Sequence, residues 1–198
     1  MPVLEFWFEY ASTYSHIAAQ TIEQRAADAG VEIAWRPFLL GPVFMAQGWN
    51  DSPFNIYKAK GAYMWRDMER ESERHSVAFR RPSAFPRNGL LAARVTAALD
   101  GDTRQAGFVR AVYQANFVED REISDRAVVA DCLAAAGHDD PAAALEAAGT
   151  QPVKDLLRRR TEEAMELGIF GAPSFRIGGE LFWGADRLDR ALEWSRRG

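Results

Sequence analysis

The segment Phe6-Trp7-Phe8-Glu9-Tyr10-Ala11-Ser12-Thr13-Tyr14-Ser15 constrains this chain more than any other, because it runs an apolar stretch directly into a helix start. Residues 3–10 are apolar or aromatic except at Glu5 and Glu9, which suits a strand buried on both faces. From about residue 14 to 29, Ile17, Ala18, Ile22, Ala26 and Ala29 fall near helical spacing, and Gly30 is a good terminator. Val31-Glu32-Ile33-Ala34-Trp35-Arg36-Pro37 then alternates apolar and polar residues until Pro37 stops it. Two strands joined through a helix predict a β-α-β unit with parallel strands and a right-handed crossover.

The end of the chain returns to strands. Ser174-Phe175-Arg176-Ile177 and Glu180-Leu181-Phe182-Trp183 flank a two-residue Gly178-Gly179 turn, the strongest hairpin pattern present. Asp186 or a neighbour then opens a last helix through Leu188, Ala191, Leu192 and Trp194. Between these ends the period is helical. Gly48, Pro53, Pro82, Pro86, Gly101, Gly137, Pro141 and Pro152 divide that stretch into expected helices near 57–76, 87–100, 103–118, 124–136, 140–148 and 152–167. The expected architecture is α/β, with residues 1–40 and 168–198 forming one unit and 41–167 a large all-helical insertion.

Composition narrows the function. A chain of 198 residues, 47% hydrophobic and 26% charged, can bury a sizeable core. Its net charge is −4 with both signs interspersed, so no basic stripe points to nucleic acid. No segment approaches the roughly 18–20 apolar residues of a membrane span, and the first residues lack the pattern of a signal peptide, so a cytoplasmic location is expected. Cys132 is the lone cysteine, which excludes an intrachain disulfide and a Cys-rich metal site. In its apolar helical stretch it reads as a small buried hydrophobe rather than a reactive thiol. His16, His75 and His138 are scattered without ligand spacing, and no metal is expected.

Chemistry concentrates at Ser12 and Ser15. A serine at a strand-to-helix junction can cap the helix. It can equally donate to an anion at which the first free N–H groups and the helix dipole also point, and the residues alone leave both roles open. Ser15 would face inward on the first turn and reads as a structural hydroxyl.

Residues 6–15, Gly48-Trp49-Asn50-Asp51-Ser52-Pro53, Ala59-Lys60-Gly61-Ala62-Tyr63-Met64-Trp65-Arg66-Asp67 and Phe182-Trp183-Gly184-Ala185-Asp186-Arg187-Leu188 together resemble the 2-hydroxychromene-2-carboxylate isomerase family. That family and the kappa-class glutathione transferases lie in the DsbA-like branch of the thioredoxin fold. The resemblance spans nearly the whole chain in order. It implies a thioredoxin-like fold in which Ser12-Thr13-Tyr14-Ser15 stands where dithiol enzymes carry Cys-x-x-Cys, which excludes dithiol oxidoreductase chemistry. Glutathione is then the implied source of the thiol, with Ser12 stabilising its thiolate. One departure is Thr13, where the family usually has Pro; a threonine can supply another hydroxyl.

The resemblance further implies a cis Ala172–Pro173 bond in the loop Phe170-Gly171-Ala172-Pro173-Ser174-Phe175, with the Ala172 backbone pairing to glutathione as to an extended peptide. Ala185 and Asp186 would hold the γ-glutamyl end, where a carboxylate otherwise reads as a helix cap. Asn50 and Lys60 would recognise the far side of the peptide, although an isolated lysine otherwise reads as solvated surface. Asn88 would border the substrate pocket or cap the helix entered at Leu90. Of the aromatics, most belong to the core and a few could wall a pocket for a flat aromatic acid. The implied activity is glutathione-dependent conversion of 2-hydroxychromene-2-carboxylate, or a related aromatic catabolite, to trans-o-hydroxybenzylidenepyruvate by reversible thiolate addition. Two alternatives stand beside it: a kappa-like glutathione transferase, and a non-catalytic binding protein on the same fold. A homodimer is the default assembly.

Overall fold

Strand β1 (Val3–Phe8), helix α1 (Thr13–Ala29) and strand β2 (Glu32–Pro37) open the chain in this computed structural model, which describes residues 1–197. Gly198, the last residue of the expected C-terminal unit, lies outside the described residues. β1 and β2 pair in parallel, from Val3 opposite Glu32 to Phe8 opposite Pro37. Gly30 ends α1 at φ 69°, a left-handed conformation that glycine adopts without a Cβ penalty, and its N–H reaches the carbonyls of Ala26 and Ala27.

Helices occupy the middle of the chain: α2 (Leu40–Ala46), α3 (Pro53–Ile56), α4 (Lys58–His75), α5 (Leu90–Ala98), α6 (Gln105–Phe117), α7 (Arg126–Ala135), α8 (Pro141–Gly149) and α9 (Gln151–Glu166). Strands β3 (Ser174–Ile177) and β4 (Glu180–Trp183) follow, then a 3-10 turn at Ala185–Arg187, α10 (Leu188–Trp194) and a closing 3-10 turn at Ser195–Arg197. The sheet order is β2-β1-β3-β4, with β3 antiparallel to both β1 and β4. Gly178 and Gly179 take φ 56° and 84°, as a tight hairpin turn with two positive-φ positions requires.

The expected helices are present within a few residues of their anticipated ends. α2 lies outside the expected helices, and it contains Gly41 and Pro42. Both sit in its first turn, where a missing proline N–H costs no intrahelical bond. Tertiary packing then holds the segment, for Val43 is buried in a cluster with Trp7, Phe38, Ala164 and Ile169.

Central strand β1 explains its own composition. Leu4, Phe6 and Phe8 enter the main core with α1, α5, α6 and α10, while Trp7, on the opposite face, enters the α2–α9 cluster. Both faces are covered, so a nearly continuous apolar run is stable there. Cys132 is buried in α7 as a core residue, and burial pushes its thiol up to about 11.

Gly61 fixes a close approach of two helices. A Cβ at this position would lie 2.2 Å from the carbonyl oxygen of Phe54, so α3 and the first turn of α4 can meet only without a side chain there. Gly61→Ala would gain about 1 kcal/mol of helix propensity and incur overpacking of about 1–3 kcal/mol. A net fall in Tm is expected by circular dichroism. A rise would show that α3 moves aside freely.

Candidate active site

Ser12 is the N-cap of α1, with extended backbone at φ −74° and ψ 116°. Its Oγ accepts the Ser15 N–H at 3.3 Å and donates to the Ala172 carbonyl at 2.9 Å. The cap and a role facing the last loop therefore coexist in one hydroxyl. Ser15 is fully buried, in keeping with a structural hydroxyl. Thr13 begins the helix at a position that also suits proline. Its side chain is buried and its Oγ1 meets no hydrogen-bond partner, so, contrary to expectation, it offers no second hydroxyl to the cleft.

The loop before Ser12 is fastened from behind by α6. Tyr113 donates its hydroxyl to the Glu9 carbonyl at 2.9 Å, and Asn116 donates its amide to the Tyr10 carbonyl at 3.0 Å. Ser12 donates its own N–H to the Glu9 carbonyl at 3.0 Å. His16, one turn into α1, is buried between Tyr113 and Phe117 with Nε2 2.9 Å from the Ala78 carbonyl. Burial pushes it down to about 4, so it is neutral near pH 7.

Opposite Ser12 stands the loop with a cis Ala172–Pro173 bond. Ser174 Oγ donates to the Gly171 carbonyl at 2.8 Å, and the Gly184 N–H donates to the Pro173 carbonyl at 3.0 Å, tying the loop to the end of β4. Phe170 and Trp183 meet at a tilt of 59° with ring centroids 4.9 Å apart and remain about half exposed beside it. Gly184 takes φ 109° and leads into Ala185 and Asp186. Here the expectation of a capping carboxylate is corrected: Asp186 lies inside the 3-10 turn, α10 begins only at Leu188, and no side chain caps either. The exposed Asp186 carboxylate accepts from Arg187 at 2.8 Å and folds back over Gly184.

Asn50 and Lys60 are both exposed. The loop carrying Asn50 reaches the last loop through Gln47, whose amide donates to the Phe170 carbonyl at 3.3 Å. Lys60 lies in the first turn of α4 with its ammonium 5.5 Å from the Tyr57 ring centroid. Asn88 is exposed and its Oδ1 accepts the Leu90 N–H at 2.9 Å from one residue before Gly89, the N-cap of α5, so it is not itself the cap. Nearby, Trp65 meets Phe85 edge to face at 4.9 Å, and Phe85–Pro86 is a second cis bond that the sequence did not announce. Two surface hollows lie elsewhere, one between α7 and α8 around Asp125 and Leu145, the other along β2 and residues 100–106. Neither includes a candidate residue.

Glu9 is the residue that sequence reading passed over. Its signal was present, as an acid interrupting an apolar run three residues before Ser12. The side chain is half-buried, and Oε2 accepts the Ala11 N–H at 2.9 Å. Desolvation pushes the carboxyl up to about 7, and the Ala11 bond only partly offsets it. An acid with a raised folded-state pKa binds more protons folded than unfolded, so its ionisation removes stability as pH rises from about 4.5 to about 7. Glu9→Gln is therefore expected to raise Tm relative to the parent above pH 7, with the advantage vanishing below pH 4.5. Parallel melts of both proteins at pH 4 and pH 8 measure it, and an equal difference at the two pH values would show that Glu9 titrates normally.

Comparisons with known proteins agree with this architecture. The family model of the DSBA-like thioredoxin domain matches residues 3–193. A 2-hydroxychromene-2-carboxylate isomerase from Sphingobium xenophagum is 27% identical over 94% of each chain, and one from Pseudomonas putida 27% identical over 94% of this chain and 90% of its own. Glutathione S-transferase kappa 2 from Caenorhabditis elegans is 22% identical over 97% of this chain and 91% of its own. Among solved structures, a 2-hydroxychromene-2-carboxylate isomerase superposes with a TM-score of 0.88 at 22% identity, covering 98% of this chain and 95% of that one. The fold, the serine-bearing helix start and the loop facing it thus coincide with a match along almost the entire length, and the chain belongs to the DSBA-like thioredoxin domain family.

Proposed function

We propose that this protein is a glutathione-dependent cis–trans isomerase acting on 2-hydroxychromene-2-carboxylate or a related aromatic catabolite. The observation that carries the reading is the Ser12 hydroxyl, held at the N-terminus of a 17-residue helix and 2.9 Å from the Ala172 carbonyl, with serine also at position 15. No cysteine stands at either position, so the chain brings no redox-active dithiol of its own. The 27% identical relatives named as isomerases support the reaction class, and the kappa transferases support the thiol cofactor.

The residues present fit glutathione by the chemistry of their donors. Ser12 would face the sulfur, the Ala172–Pro173 loop the peptide backbone, Ala185 and Asp186 the γ-glutamyl end, and Asn50 and Lys60 the remaining polar groups. Asp186 already binds Arg187, so the ligand's ammonium would share or displace that guanidinium. When bound, glutathione supplies a thiol that adds reversibly to the conjugated carbon of the ring-opened substrate, leaving a single bond about which the chain can rotate. Ser12 lowers the cost of the thiolate by donating its hydroxyl proton, with the α1 N–H groups and dipole acting in the same direction. That hydroxyl must leave the Ala172 carbonyl to do so. Asn88, whose carbonyl oxygen accepts the Leu90 N–H, keeps its amide N–H groups for a substrate oxygen.

Ser12→Ala tests the first role. Loss of the cap costs about 1 kcal/mol, which an ordinary domain survives. The pKa of bound glutathione, followed by thiolate absorbance, should return toward about 8.5, and kcat should fall about 10²-fold or more. An unchanged thiol pKa removes Ser12 from the mechanism.

Kappa-type relatives favour a second reading, transfer of glutathione to the substrate. Mass balance separates the two. An isomerase regenerates its thiol, so substoichiometric glutathione should support complete conversion to the trans product with free thiol constant. Thiol lost in step with substrate would establish a transferase, and glutathione binding without turnover a binding protein.

A further inference from the structure

Glu9 occupies a place that the thiol site does not explain. Its backbone carbonyl is held twice, by the Ser12 N–H and the Tyr113 hydroxyl, so the residue is fixed relative to Ser12. One carboxylate oxygen, Oε2, takes the Ala11 N–H. The other, Oε1, lies beside Gly89, where an added Cβ would come within 3.3 Å of it and within 2.7 Å of the Tyr10 Cβ. The carboxyl thus sits at the seam between the Ser12 loop and the turn carrying Asn88. A side chain at position 89 would push the two apart.

No cation answers this acid among the described residues. Arg87, two positions before Gly89, is turned away and engages Asn116, Ser83 and Asp120. The titratable groups packed around Glu9 are the Tyr10 and Tyr113 phenols, both raised further by burial and therefore neutral. The carboxyl is half-buried, so it is neither solvated surface nor sealed core. A partly desolvated, unpaired carboxyl beside a nucleophile site suits general acid–base work near neutrality.

We propose that Glu9 is the proton-transfer residue of this site. The inference rests on the isomerase reading. As the sulfur–carbon bond forms, the electron pair of the substrate's double bond moves through the conjugated ketone to its oxygen, and the proton on Glu9 passes to that oxygen. When the double bond re-forms, the Glu9 carboxylate takes the proton back as the sulfur–carbon bond breaks. Glu9 ends each cycle protonated, with no net change in charge or oxidation state.

A general acid must be protonated at the outset. Burial sets its titration at about 7, and a neighbouring thiolate raises it further, so activity should fall as pH rises through a limb at or above about 7. Glu9→Gln keeps an oxygen acceptor for the Ala11 N–H and should fold and bind glutathione as the parent does. It should lose this limb and about 10²–10⁴-fold in kcat, while Glu9→Asp retains a displaced limb. Infrared difference spectra of the parent and the glutamine variant, without glutathione, give a readout independent of turnover: a carboxyl band titrating near 7 in the parent alone. An unaltered pH profile and kcat in Glu9→Gln, with the parent active, overturns the role of Glu9 and leaves the isomerase reading intact. A band titrating below pH 5 does the same. A parent that binds glutathione but converts no substrate overturns the isomerase reading, and the proposal with it.

Discussion

Burial of β1 on both faces is the constraint from which the rest of the molecule follows. With β2 on one edge and β3 on the other, the strand has no free edge, and Leu4, Phe6, Phe8 and Trp7 are all fully buried. Pairing with β3 brings Trp7 opposite Ser174, one residue past Pro173, so the two ends of the chain meet at the C-terminal end of β1. The backbone groups of residues 9–11 then lose their ladder partners and must find others. α6 supplies Tyr113 and Asn116, Ser12 supplies its N–H, and Glu9 supplies its carboxylate to Ala11. Fastening this turn is what aims Ser12 at Ala172.

Much of that was legible in the sequence for physical reasons. The period-2 and period-3.6 patterns mark surfaces that must be buried, and Gly30, Gly178 and Gly179 sit where the backbone needs φ above zero. What escaped were features decided by tertiary contact. α2 forms despite Gly41 and Pro42 because Val43 finds a pocket beside Trp7. Asp186 has the residue type of a cap, but the chain enters α10 through a 3-10 turn, and its carboxylate is left to Arg187. Glu9 looked like one of two acids punctuating a strand. Its partner in that pattern, Glu5, bonds Trp7 and Arg176, whereas Glu9 faces the turn at Gly89 with no cation. Local sequence cannot distinguish them, because the difference is made by α6 and residue 89, eighty or more positions away.

The candidate ligand residues show the same division. Ser12 and the Ala172–Pro173 loop are set by the sheet and by α1, and their geometry follows from main-chain pairing. Asn50 lies on the exposed segment between α2 and α3 and Lys60 is exposed in the first turn of α4, which Gly61 allows to pack closely against α3. A site divided in this way keeps the reacting end of a ligand fixed and lets its periphery adjust, an arrangement in which specificity is set on loops while chemistry is set on a scaffold.

Replacing thiols with hydroxyls at the start of α1 changes which problem the fold must solve. A cysteine there would exploit the helix N-terminus to lower its own pKa and exchange disulfides. A serine has no such redox chemistry, and the same N–H groups and dipole become available to a sulfur that arrives with a ligand. An additive mechanism then needs somewhere for the displaced electron pair to go, and stabilising negative charge on a substrate oxygen is the costlier step once the thiolate is formed. A second anionic carboxylate near that oxygen would oppose it. A neutral carboxyl would not, and desolvation with no cationic partner is the physical means of keeping one neutral close to pH 7. The half-buried setting of Glu9, with its two neutral phenols, meets that requirement. Thus the tight packing that secures the Ser12 turn also partly desolvates Glu9 and, among the described residues, leaves it without the cation that would keep it ionised.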